Sequence, residues 1–167
     1  VMRQLKEALG MAVTLSTVNN ENICVIDIVR GSSQIDISTR PGSTFPLHAT
    51  AQGKIALAFG PDSWRQELFK IPLEKFTACT VINADDLSKE IEMVRLQRWA
   101  IAPEEITMGI NALAAPILDH QNQLVGTISI ITSIYELTKK PSKEQINAIK
   151  DAALRVSVGI GHILKES

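Results

Sequence analysis

The stretch Pro46 to Phe59, PLHATAQGKIALAF, turns from polar to apolar at Gly53–Lys54. A Gly-Lys pair opening a helix is suited to anion chemistry. A phosphate loop has a first glycine, four residues, then Gly-Lys and a hydroxyl residue for magnesium. Here the first glycine position holds His48 and the hydroxyl position holds Ile55, so the nucleotide reading fails at both. What remains is a helix start. Thr50 is a suitable N-cap, leaving the N–H groups of Ala51, Gln52 and Gly53 free to point out of the helix end. Small residues at 51 and 53 would let a ligand approach the backbone, and such a terminus takes carboxylates as well as phosphates. Lys54 lies on the wrong side of the helix dipole, at a cost of a few tenths of a kcal/mol unless an anion or acidic side chain compensates. The plain alternative has its stem on apolar surface and its ammonium in water.

Other reactive residues are scattered. His48, His120 and His162 lie far apart in sequence, and His120 falls in a turn, His162 at a helix end. His48 reads as a hydrogen-bonded structural histidine before a base. Asp85–Asp86 sits at a helix N-terminus, where the dipole accounts for it at about 0.3–1 kcal/mol each. Adjacent carboxylates in an extended segment point apart, so Glu104–Glu105 makes a poor acid/base dyad. The pair is expected at the surface. G-x-S-x-G, H-E-x-x-H and G-x-G-x-x-G are all missing from the sequence. No catalytic residue, metal site or cofactor is expected.

The composition suits one domain spanning 1–167, with 45% hydrophobic and 21% charged residues. A net charge of −1 gives no electrostatic footprint for nucleic acid. The basic cluster TKKPSK reads as a solvated loop. Cys24 and Cys79 fit no metal or redox spacing, which accords with a reducing cytoplasm. No apolar run approaches the about 20 residues of a membrane span. The sequence opens on Val within a helical pattern, which suggests an excised piece of a larger protein.

The elements that must position these residues follow from periodicity. MRQLKEALG is a helix with Met2, Leu5 and Leu9 on one face and Gly10 as its stop. MAVTLSTV, ICVIDIVRG and SQIDISTR read as three strands, and PGSTFP as a loop. Helices follow from about Thr50 to Phe59, over GPDSWRQELF with Pro61 first, and over NADDLSKEIEMVRLQRW with Leu87, Ile91 and Val94 buried. WAIAP is a short strand, and EEITMGIN a loop that lines something. ALAAPILD and LVGTISIIT form a hairpin about HQNQ. In the last helix Ser142 and Gln145 form a capping box, and Ile146, Ile149, Ala153, Val156, Ile160 and Ile163 form the stripe. Together these predict an α/β (α+β) sandwich: one mixed, largely antiparallel sheet of about six strands flanked by helices.

Three stretches carry a family resemblance. PLHATAQGKIALAF, WAIAPEEITMGINALAAPILD and LVGTISI, in that order, resemble the C-terminal effector-binding domain of IclR-type bacterial transcription regulators; the leading QLKEALGMAVTLS fits too. The resemblance implies a GAF-like fold, a small-molecule effector, and homodimers or homotetramers. It also implies DNA contact only through a separate N-terminal winged helix-turn-helix that this chain lacks. It implies a ligand-facing set of Ala51, Gln52, Ala102, Ile110, Ala112, Ser129 and Ile131, with backbone amides at 51 and 52 and a strand hydroxyl at 129. Ala102, Ala112 and Ile131 stand where the family often carries polar groups, so the effector is expected to be larger or less polar than a two- or three-carbon acid. Binding would shift the oligomer's equilibrium, with APEEITMGIN as the moving loop and Gly109 as its hinge. Two alternatives remain: a GAF-like enzyme or cofactor sensor using Cys79 or His48, and a domain kept only for oligomerisation.

Overall fold

The computed structural model describes residues 1–20, 22–32 and 39–163. One sheet of six strands runs in the order β3-β2-β1-β6-β5-β4. Its strands are β1 (Ala12–Val18), β2 (Asn22–Val29), β3 (Thr44–Pro46), β4 (Ala100–Pro103), β5 (Ile110–Leu118) and β6 (Leu124–Ser133). Every described pairing is antiparallel, so the sheet needs none of the parallel pairing that a mixed one would contain. Five helices complete the α+β architecture: α1 (Met2–Leu9), α2 (Ala51–Phe59), α3 (Asp62–Leu68), α4 (Ala84–Gln97) and α5 (Lys143–Gly159).

Strand alternation divides the core in two. On one face Val13, Leu113, Ile128 and Ile130 pack with Leu5 of α1 and Ile149, Ala152 and Ala153 of α5. On the other, Ile23, Ala102 and Ala114 pack with α2, and Leu87, Ile91 and Val94 of α4 lie over it. Helix α2 is thus sandwiched between sheet and helix. Its residues from Ala51 to Ala58 are all buried, as expected of a helix apolar nearly all round.

Several expectations change. The strand read over SQIDISTR falls largely on residues 33–38, outside the described residues. The loop PGSTFP instead contains β3, which pairs Thr44, Phe45 and Pro46 with Cys24, Ile23 and Asn22. Pro46 closes β3, which lies at the edge of the sheet among the described residues, a place where proline is tolerated. Pro61 caps α3 rather than opening it. Helix α5 has its Ser142–Gln145 capping box but stops at Gly159, leaving Ile160 and Ile163 exposed beyond its end. Its deepest position near that end is Ser157, whose hydroxyl donates to the Ala153 carbonyl and accepts from the Leu118 amide.

Candidate functional site

At the start of α2, Thr50 adopts extended backbone and its hydroxyl accepts from the Gly53 amide at 3.0 Å. The same hydroxyl donates to the Pro46 carbonyl at 2.9 Å, tying the cap to β3. The amides of Ala51 and Gln52 precede the first helical hydrogen bond and have no acceptor within the helix.

A cavity of about 450 Å³ opens at this terminus. Thr44 and Phe45 of β3 form one side, with Thr39 and Ser43 before them; Ala49, Thr50 and Gln52 form the second. Ala102, Ala112 and Ile131, from β4, β5 and β6, line it from the sheet, and Ile106, Thr107 and Ile110 line it from the stretch that leads into β5. No charged side chain is among these lining residues.

Of the seven ligand-facing candidates, Gln52, Ala102, Ile110, Ala112 and Ile131 line this cavity. The Ala51 side chain is buried in the core beneath α2, so only its backbone faces the helix end. Ser129 is fully buried behind Gln52, whose Nε2 donates to Ser129 Oγ at 2.8 Å. Sequence reasoning missed the β3 side, because PGSTFP carries no strand signal. It found the Ile106–Thr107 side only as a loop that lines something.

The Gly-Lys pair has a different role from the one its position suggests. A Cβ on Gly53 would sit 2.1 Å from the Leu47 carbonyl oxygen, so glycine is there for the crossing chain rather than for a ligand. Lys54 is 1% exposed and turns away from the cavity. Its Nζ donates to the Glu105 carboxylate and, at 2.6 Å, to Glu90 Oε2. An acidic side chain therefore supplies the compensation that Lys54 requires. Surface placement of the Glu104–Glu105 pair is overturned at its second member: Glu105 is 2% exposed. The two carboxylates do point apart, since Glu104 Oε1 accepts from the Gly109 amide at 3.0 Å.

The segment is pinned on both sides of these carboxylates. Thr77 and Thr80 hydroxyls donate to the Glu104 and Glu105 carbonyls, each at 2.7 Å. The Glu104 amide donates to Asn111 Oδ1 at 2.9 Å, and Asn111 Nδ2 donates to the Leu137 carbonyl at 2.6 Å. Only Ile106, Thr107 and Met108 lie between Glu105 and Gly109, whose φ of 81° suits glycine. His48 is structural in its contacts: Nε2 donates to the Glu74 carbonyl at 2.8 Å and the ring stacks on Phe76.

Burial pushes the Glu105 carboxyl above the usual glutamate range; the Lys54 ammonium opposes this and the Glu90 carboxylate adds to it. A carboxyl whose pKa rises on folding favours the fold most below its unfolded pKa of about 4.3, and that contribution is lost as pH rises through the folded value. Relative to Glu105→Gln, which does not titrate, the unfolding free energy of the parent should therefore fall as pH is raised above about 4.3. Urea melts at stepped pH measure it. A rising difference would mean that the ammonium outweighs burial.

Residues 1–158 match the family model described as bacterial transcriptional regulator IclR, C-terminal. The chain belongs to this family. The probable transcriptional regulator SauR of Cupriavidus necator is 29% identical over 139 residues, covering 83% of this chain and 55% of that protein. The crystal structure of Thermotoga maritima IclR is 29% identical, with a TM-score of 0.86 over 96% of this chain and 66% of that one. An IclR homologue from Microbacterium hydrocarbonoxydans, crystallised with 4-hydroxybenzoate, has a TM-score of 0.86 at 16% identity, over 95% of this chain and 64% of that one. At that identity the likeness concerns the fold alone. This IclR-family domain spans 55–62% of the first two curated relatives it matches. Its relatives are named as regulators, and the matching family model is that of a regulator's C-terminal domain. Among the described residues no helix is long and apolar enough to cross a membrane.

Proposed function

We propose that this domain is the effector-binding part of a cytoplasmic IclR-type transcription regulator and takes an organic acid with a bulky apolar body. The cavity carries this reading: about 450 Å³, mostly apolar and with no charged side chain among its described lining residues, set against the free amides of a helix start. Such a volume lies in the range of about 300–1,000 Å³ usual for drug-sized ligands. A carboxylate would sit on the Ala51 and Gln52 amides, where the dipole favours negative charge. The apolar body would lie on Phe45, Ile106, Ile110, Ala102, Ala112 and Ile131. The 4-hydroxybenzoate bound by the Microbacterium homologue is of this class.

In this reading the domain self-associates as a dimer or tetramer, and DNA contact belongs to a part of the whole protein outside this chain. A coupling of about 1–3 kcal/mol between effector and DNA sites suffices for a graded response. Thermal-shift titration against aromatic carboxylates, glyoxylate and pyruvate tests it. A saturable aromatic ligand at 100 times its Kd should add about 2.7 kcal/mol of stability. Turnover of any probe, or silence across a broad metabolite panel, would overturn the proposal, and silence would favour a purely oligomerising domain. Tight stoichiometric pyruvate binding would overturn the bulky class.

A further inference from the structure

A second cavity, of about 500 Å³, opens between α4 and β4, and it shares no lining residue with the first. Val81, Met93, Val94, Ile101 and Pro103 give it apolar walls. Its charged groups are ordered by depth. Lys54 and Glu105 are innermost, at 1% and 2% exposed, Glu90 is half-buried, and Lys89 and Lys139 are exposed at the mouth. The inner group is incompletely bonded. An ammonium has three donors. Lys54 Nζ donates to Glu105 and, at 2.6 Å, to Glu90, and its third N–H has no acceptor among the described residues. Glu105 Oε2 accepts, among the described residues, only from the Val81 amide, at a long 3.4 Å. The innermost end of this cavity thus holds a buried donor and a buried acceptor with capacity to spare, a costly state unless another polar group meets them.

We propose that this second cavity is a binding site for an α-amino acid with an apolar side chain. The ligand ammonium donates to Glu105 and Glu90, and the adjacent carboxylate accepts the third N–H of Lys54. Bonds of this kind, with charge on both partners, are the strong ones. Lys89, which also bonds to Asp86 at 3.3 Å, and Lys139 add positive charge on the carboxylate's side, at the mouth. The side chain lies on Val81, Met93 and Ile101. A plain amine would leave the Lys54 donor unmet and face two lysines at the mouth. A plain carboxylate would face Glu90 and Glu105. A head group carrying both signs side by side answers both. The proposal does not depend on what the first cavity takes. The two cavities do share a wall, since Glu105 lines this one and the next residue, Ile106, lines the other.

Titration calorimetry of the 167-residue chain with L-leucine and L-phenylalanine tests it, each beside the amine that lacks its carboxylate, isopentylamine and phenethylamine. At least one amino acid is expected to bind saturably, and its amine at least tenfold more weakly. Glu90→Gln keeps the shape and removes one carboxylate charge, so it should weaken the amino acid at least tenfold. Position is read at Cys79, a half-buried free thiol that lines this cavity. A saturating amino acid should slow its alkylation by N-ethylmaleimide at least threefold, and leave the rate unchanged at Cys24, which lines neither cavity. If Glu90→Gln does not fold, Cys79 protection and the amine comparison on the parent decide. The site is overturned if neither amino acid binds, or if binding leaves Cys79 unprotected, which would place the ligand elsewhere. An amine that binds as tightly as its amino acid, or an unchanged affinity in Glu90→Gln, overturns the paired recognition of ammonium and carboxylate.

Discussion

Gly53→Ala is expected to be the most damaging single-methyl change in this domain, on the order of 4 kcal/mol, above the usual range for overpacking. The added Cβ would meet the Leu47 carbonyl oxygen at 2.1 Å and the Leu47 carbonyl carbon and Cα at 2.5 Å. All three atoms are backbone, so no rotamer change can relieve them. Leu47 is itself 1% exposed, and α2 is buried between sheet and α4, so neither partner can withdraw freely. Any relaxation must lift the first turn of α2, which carries the Ala51 and Gln52 amides. The variant should therefore lose ligand-induced stabilisation as well as stability. Chemical unfolding and effector titration on the same sample check both, and a loss below about 1 kcal/mol, the middle of the distribution for point mutants, would mean the crossing is looser than the geometry shows.

Lys54→Met should cost about 3–5 kcal/mol, the usual result of removing one member of a buried ion pair. The Glu105 carboxylate would remain 2% exposed with, among the described residues, only the Val81 amide, at 3.4 Å, donating to it. It would then be neutralised at a higher pH, so the deficit of Lys54→Met should shrink as pH falls and Glu105 takes up its proton. Lys54→Met/Glu105→Leu should recover most of the loss, because well-packed apolar residues often replace a buried pair at no net cost. Glu90, with 43% of its side chain exposed, can turn to water in either variant. A double-mutant cycle measures the coupling. A double mutant as unstable as the single one would show that the pair's geometry, rather than its charge balance, holds the segment beside the cavity.

Most of the fold was legible from periodicity and capping. The Leu87–Ile91–Val94 stripe, the Ser142–Gln145 box, the α2 limits and the β5–β6 hairpin all depend on local spacing, which a sequence displays directly. What escaped depends on what lies across the sheet. Gly53 looked like room for a ligand because nothing in the sequence says that Leu47 crosses there. Glu105 looked exposed because its partner is 51 residues away. Edge strand β3 was hidden by its prolines, and with it one side of the cavity. At the site itself, Ala102, Ile110, Ala112 and Ile131 came by family resemblance and do line the cavity. Gln52, expected only for its backbone amide, also bonds through its side chain to Ser129, a contact between α2 and β6 that no local spacing displays.

Strand β1 is the plank that both halves of the core share. Thr14 looks toward α2 and bonds to Ser129, while its neighbour Val13 is 0% exposed in the opposite core with Leu5 of α1 and Ile149 of α5. Interiors packed at near-crystalline density transmit strain rather than absorb it. A displacement of Thr14 would have to be taken up one residue away, where Val13 packs against Leu5 of α1 on the far side of the sheet. The side of the sheet that faces α2 and the side that carries α1 are thus joined through one strand, whose successive residues Thr14 and Val13 serve them in turn.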